Sequence, residues 1–348
     1  MFDQEQGTLS PSHPKSKTGA LVQKALRWIP ILLAPLLLWW VYKGIEWQKV
    51  NQILEQGVNY KILLFSLLFG TIGNVVRGLR WQQLMGPAHS PQKTDKISVI
   101  LATLGTYAVN MLLPRAGEVW RCSAIAKGKK RSFAFLLGTV VAERLADILV
   151  ILIMTIVLVL VKAPEIVGLW NTSSHSNQKQ LPPLFITPRG YTLAALFLLL
   201  CGGIWFLLKH PSLKSKVKEF IRKAIDGLQN IRHLSNKKLF GFYTVAIWGC
   251  YFLFFYIPFF AFSFTETLPL EASMVAFSLS TIAIVIPVQG GIGPWHFAVI
   301  SALYLYGVDK TSGGSFALIV HSIQSIWTVI IGLIAIFVLT IVNRKVAT

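Results

Sequence analysis

The chain has 348 residues, 54% of them hydrophobic and 14% charged, a net charge of +19 and a mean hydropathy of +0.59. A water-soluble domain has no use for that much apolar surface. Nucleic-acid binding is excluded as well, because the basic residues lie between apolar runs, where positive-inside topology places them, and not on one exposed face. The short alternating strands of a membrane β-barrel are missing, which leaves a polytopic all-α membrane protein.

Residues 1–27 form a polar, basic tail. No small-residue cleavage site follows the first apolar run, 28–42, so that run is expected to stay as an anchor. Further apolar runs cover 60–79, 97–113, 133–161, 190–208, 240–262, 272–307 with an interruption, and 315–342. Several reach the ~20 residues that cross a ~30 Å hydrocarbon core. Residues 343–348 read as a short basic tail, and the 28–342 stretch as one transmembrane domain.

The basic loops decide the topology. Arg77, Arg80, Lys93 and Lys96 fall in 77–96, and six more Lys or Arg fall in 115–131. Both stretches belong on the cytoplasmic side, yet only the run 97–113 separates them. The segment 97–126 is therefore expected to enter from the cytoplasm, break at Pro114 and return. Near the other end, acidic 263–271 (SFTETLPLE) reads as external, and the last span ends at Arg344 and Lys345 inside. Residues 272–307 must then leave and return on the outer side, turning within 286–297 (IPVQGGIGPWHF). The expected fold has six full transmembrane helices and two re-entrant helical hairpins entering from opposite faces, with both termini cytoplasmic.

The tips share a pattern, Pro114-Arg-Ala-Gly117 and Pro287-Val-Gln-Gly290. Each hairpin is followed by a similar opening, Ser132-Phe133-Ala134 and Ser315-Phe316-Ala317. An inverted internal repeat accounts for this, and so does chance recurrence of a Pro-x-x-Gly turn. Residues 162–189 read as a polar external loop in which His175 is solvated. Residues 212–234 read either as an amphipathic helix on the cytoplasmic leaflet or as a charged connector.

The stretch 140–150 (VVAERLADILV) puts three charges into an apolar run. With the span starting near Phe133, Glu143 lies ~15 Å deep. Asp147 follows one turn later on the same face, with Arg144 in reach of it at i+3. A charge at that depth costs at least ~2.5 kcal/mol, so these groups must face protein or water. One reading has them line a cleft for a headgroup or a proton. The other has them pin the first hairpin, with Arg115 or Arg121 paired to Glu143 or Asp147, and Glu118 to Arg144. At the second hairpin, Gly290, Gly291 and Gly293 either expose backbone N–H groups to an anion or simply allow a bend and close packing. His296 either reads a proton or phosphate or is merely hydrogen-bonded, and His321 and Gln324 stand under the same two readings. Asn110 is expected to satisfy backbone groups freed at the first break.

Cys122, Cys201 and Cys250 have no metal-ligand or disulfide spacing. There is no phosphate loop, no H-E-x-x-H and no G-x-S-x-G, so no ATP hydrolysis, metal, cofactor or catalytic residue is expected.

Taken jointly, N-x-x-L-P-R-x-G-E-x-x-R (Asn110 to Arg121), V-x-x-E-R-L-x-D (Val140 to Asp147) and P-x-x-G-G-x-G (Pro287 to Gly293) resemble the membrane half of bacterial lysylphosphatidylglycerol synthases and the stand-alone flippase-like proteins of that family. The resemblance runs from about Trp28 to Val342. It implies an inner-membrane protein related to a lipid-translocating domain, with Arg115, Glu118, Arg121, Glu143, Arg144 and Asp147 as the matched polar positions. The synthases also carry a soluble domain that transfers lysine from charged tRNA. This sequence ends at Thr348 after its last span, so that activity is not expected here.

The expectation is a lipid transporter rather than an enzyme, with a phospholipid or polyprenyl-phosphate-type lipid as its partner in the membrane. Arg115 and Arg121 would attract phosphate, and Gly290 to Gly293 would add a contact from the outer side. The alternatives are an enzyme acting on a lipid-linked substrate with Glu143 or Asp147 as general base, and a partner subunit. A second copy of the chain or a lipid-synthesis enzyme is the kind of protein partner such roles involve.

Overall fold

A computed structural model describes residues 34–86, 95–113, 115–129, 132–175, 234, 236–284, 286 and 288–347. The described residues are helical, joined by turns. In chain order they form α1 (34–42), α2 (Trp47–Gly57), α3 (Tyr60–Met85), α4 (Lys96–Leu112), α5 (Ala116–Lys129), α6 (Phe133–His175), α7 (Lys237–Tyr256), α8 (Leu270–Ala283), α9 (Pro294–Leu305) and α10 (Lys310–Ala347). Among the described residues, three helical stretches are long and apolar enough to cross a bilayer: Tyr60–Met85, Lys237–Ala261 and Lys310–Asn343. They leave Leu64, Phe65, Leu68, Val245, Leu333 and Phe337 exposed, as lipid-facing helices do.

Local chemistry sets the helix starts. Asn59, Asp95 and Asn236 each accept the backbone N–H three residues on, at 3.4, 2.6 and 2.9 Å. Asp309 caps α10: its Oδ1 accepts the amides of Thr311 and Ser312 at 3.0 and 3.1 Å, and its Oδ2 the Ser312 hydroxyl at 2.6 Å. Lys49 of α2 adds an ion pair at 3.0 Å. Partial burial works against the charged form of Asp309, but the Ser312 and Lys49 bonds outweigh it and hold the carboxyl down at about 2. Its contribution is therefore full above the ordinary carboxylate range and fades as pH falls through about 2. Asp309→Ala is expected to destabilise the protein by about 1 kcal/mol, measured as a lower melting temperature in detergent at pH 7. The gap to the parent should close as the pH nears 2.

Two helical hairpins organise the interior. In the first, α5 folds back on α4; in the second, α9 folds back on α8. Both pack along α10, at opposite ends. Gly332 meets Ala108 and Leu104 of α4, and Ile336 lies over Gly105. Toward its start, α10 meets the second hairpin: Gly313 faces Ile300, and His321 meets Gly290. The tips touch midway, where a Cβ on Gly290 would lie 2.5 Å from Met111 Sδ. Each hairpin is followed by a long helix, and each packs its first helix on the long helix of the other half, α4 on α10 and α8 on α6.

The cores follow this division. One gathers Tyr42, Phe255, Phe259, Phe262, Trp295 and Phe316 around the second hairpin. The other gathers Trp81, Val99, Cys122, Ile125 and Leu136 around the first.

Several boundaries differ from the sequence reading. The helix from Tyr60 runs on to Met85, so Arg77 and Arg80 are helical and not loop residues. The basic stretch 115–131 is largely the helix α5. The external loop expected from 162 is helical as far as His175, and the expected tail after 342 continues α10 to Ala347. Amphipathic α2 was not foreseen. The 1–27 tail, the 190–208 span, most of 212–234, Pro114 and Pro287 lie outside the described residues.

Candidate functional site

The site is built where α3, α5 and α6 converge. On α6 the i, i+4 spacing sends Glu143 and Asp147 inward, 0% and 5% exposed. On α3 the i, i+3 spacing does the same for Arg77 and Arg80, which clamp Asp147 from both sides. Arg77 Nη2 donates to Oδ2 at 2.5 Å and Arg80 Nη2 to Oδ1 at 2.6 Å. From α5, Arg121 Nη2 donates to Glu143 Oε2 at 2.8 Å, its guanidinium 4.3 Å from the Trp81 ring centre. Trp81 is fixed in turn by a bond from its Nε1 to Thr139 at 2.9 Å. At the rim, Arg144 Nη2 donates to Glu118 Oε1 at 2.8 Å, and Arg144 Nη1 lies 3.7 Å from Asp147.

Both expected pairings, Arg121 with Glu143 and Glu118 with Arg144, are present. The expected i, i+3 approach of Arg144 to Asp147 is present at 3.7 Å, but the sequence reading missed Arg77 and Arg80, which make its two closest bonds. Arg115 is exposed at the turn before α5, in left-handed backbone at φ 61°. Asn110 bridges the hairpin, accepting the Gly117 N–H at 2.8 Å and donating to Glu118 at 3.4 Å. Gly117 is required there, because a Cβ would lie 2.2 Å from the Thr106 carbonyl oxygen.

A directed hydrogen-bond chain leaves the cluster. Arg77 Nη1 donates to the Tyr107 hydroxyl at 3.2 Å. Tyr251 gives its single proton to Asn74 Oδ1 at 2.7 Å, so across the 3.0 Å Tyr107–Tyr251 contact Tyr107 is the donor. The chain ends at a cleft of about 10 Å³ between α3, α4, α7 and α10, lined in part by Asn74, Thr71, Trp327 and Thr328, enough for about one water. Tyr107, Tyr251, Asn74 and Thr244, which accepts from Arg80 at 3.2 Å, also went unread in the sequence.

The electrostatics are unbalanced. Arg77, Arg80 and Arg121 are 5%, 0% and 1% exposed, against two buried carboxylates, Glu143 and Asp147. The rim pair Glu118–Arg144 is neutral, so the cluster carries one surplus positive charge. Among the described residues, the Nε atoms of these three arginines and Glu143 Oε1 are buried without a hydrogen bond. Buried polar atoms are normally paired.

The second hairpin is arranged differently. Gly290, Gly291 and Gly293 have φ of 56°, 75° and 94°, values that favour glycine. Gly290 admits Met111, and Gly293 admits Leu37 of α1. The N–H groups of Gly291, Ile292 and Gly293 are already engaged, by Val288 O, Gln289 O and His296 Nδ1 at 3.4, 3.0 and 3.4 Å. This geometry answers to the bend-and-packing reading and leaves those three amides no free proton for an anion. His296 is buried and capped in this way. His321 meets Gly290 O at 2.9 Å and Ser325 at 3.3 Å, and Gln324 donates to Phe254 O at 2.7 Å. No group of three or more potential metal ligands occurs among the described residues.

Helices that bury an arginine-rich ion cluster behind lipid-facing apolar surfaces define an α-helical membrane protein. The lysylphosphatidylglycerol synthase TM region family matches residues 27–332, and the chain belongs to that family. No curated protein and no solved structure matches it.

Proposed function

We propose that the protein is a flippase-like lipid transporter of the bacterial inner membrane. A phosphate-bearing headgroup, on a phospholipid or a polyprenyl-phosphate-type lipid, passes through a polar groove between the two hairpins while its tails stay in the bilayer. In this reading both hairpins are re-entrant and enter from opposite faces, six helices cross fully, and both termini are cytoplasmic. The reciprocal packing of α4 on α10 and α8 on α6, with tips meeting near mid-length, supports an inverted repeat.

The single observation that carries the proposal is the surplus positive charge buried beside the first hairpin. Ionised groups at membrane depth are functional by default, and an arginine excess suits phosphate. Arg77, Arg80 and Arg121 would receive the phosphate. Glu143 and Asp147 would hold those arginines in place between passages, and Glu118 with Arg144 would stand at the entrance. The second hairpin would then be the opposing wall.

Purified protein in liposomes, with fluorescent phospholipids and a polyprenyl-phosphate lipid, tests this. Leaflet exchange is expected to exceed protein-free vesicles by about tenfold or more. If none of these lipids moves faster than in empty vesicles, the proposal fails.

A further inference from the structure

We infer that the buried cluster selects headgroups with a net charge of −1 and excludes aminoacylated, net cationic ones; this names a substrate class for the site and rests on the transport reading above. The argument is one of charge and hydrogen-bond count. Three buried guanidiniums face two buried carboxylates, leaving +1 in a region where charges are weakly screened. A headgroup of charge −1 brings the cluster to neutrality. A zwitterion leaves it unchanged, and a lysylated headgroup of charge +1 raises it to +2.

The unpaired atoms describe the same ligand. Among the described residues, the Nε–H groups of Arg80 and Arg121 have no acceptor, and that of Arg77 has only the long ion-pair contact with Glu143 Oε1; phosphate oxygens supply what is missing. Glu143 Oε1, 3.5 Å from Arg77 Nε and 3.8 Å from Arg80 Nη2, needs a donor, which a headgroup hydroxyl supplies. The ligand is thus a monoanionic phosphate ester with a hydroxyl nearby. Its way in is the rim, where the Arg144 and Glu118 side chains are 37% and 18% exposed while those of the inner five are nearly closed off. Opening the Arg144–Glu118 pair exposes the cluster from the side of the first hairpin's turn.

Two substitutions at one ion pair test the inference. The full chain in detergent is offered phosphatidylglycerol (−1), phosphatidylethanolamine (0) and lysyl-phosphatidylglycerol (+1) with identical acyl chains, and retained lipid is read by native mass spectrometry. The expected result is roughly tenfold preference for the anionic lipid over the zwitterion and no retention of the cationic one. Arg121→Gln takes the cluster to zero and should erase the preference, whereas Glu143→Gln takes it to +2 and should sharpen it. Both abolish the Arg121–Glu143 ion pair, so a purely structural role moves them together, and that outcome overturns the inference. Equal retention of the three lipids, or preference for the lysylated one, also overturns it, as does inorganic phosphate displacing the anionic lipid mole for mole, which would mark a free-anion site. The same lipids in vesicles keep the two ideas apart. Selective binding without movement would sink the transport reading alone, and movement without charge selectivity would sink this inference alone.

Discussion

Asp147→Ala is expected to leave little folded protein. The carboxylate holds Arg77 at 2.5 Å and Arg80 at 2.6 Å, both on α3, and so ties α6 to α3 at two points. Removing it strands two guanidiniums that are 5% and 0% exposed. Breaking a buried ion pair from one side costs about 3–5 kcal/mol, and water is no nearer here than in a soluble core. Asp147→Asn keeps an acceptor but loses the charge, so its loss should be smaller. Yield of monodisperse protein and the melting temperature in detergent measure both. An alanine variant that melts with the parent would show that the clamp contributes nothing to the fold.

The second large effect is at Gly117, where helix α5 lies against α4 with no room for a methyl group. An alanine Cβ there would sit 2.2 Å from the Thr106 carbonyl oxygen and 2.8 Å from Asn110 Oδ1. Neither neighbour yields cheaply, since one is helix backbone and the other holds the Gly117 N–H at 2.8 Å. Helix α5 must back away, carrying Arg121 from Glu143 one turn further on. A loss of about 3 kcal/mol or more is expected, with leaflet exchange abolished even where protein survives. Gly138→Ala on α6 is the control: nothing lies within 4 Å of its Cβ, so the change should be neutral or stabilise by about 0.5–1 kcal/mol. If the two variants behave alike, close packing of the first hairpin is not what limits stability.

Much of the interior could be read from the sequence because charges inside an apolar run have few innocent explanations. Glu143, Arg144 and Asp147 announced a buried cluster, and their spacing fixed its face. The breaks near 113–115 and 284–293 were marked by Pro and Gly. Arg77 and Arg80 were missed for a physical reason: they follow the most apolar part of α3 and precede Lys93 and Lys96, so they looked like loop charges obeying the positive-inside rule. Their i, i+3 spacing on a helix still carrying Trp81 and Leu84 was the available signal. Tyr107, Tyr251 and Asn74 gave no warning, since each is unremarkable until three helices converge. The glycines of the second hairpin were seen as special, but their amides' partners depend on His296 and on a turn that periodicity does not reveal.

The place of α10 has a consequence for how the protein is made. The ion cluster is complete once residue 147 has emerged, yet the contacts that α10 makes on α4, Gly332 against Ala108 and Ile336 beside Trp120 over Gly105, form only when α10 is made. Throughout synthesis of the intervening residues the first hairpin must keep its charges together without those contacts. Helix α10 then acts as the clasp, and a ribosome stalled before it would leave behind a nascent chain whose charged heart is formed but not yet locked into its scaffold.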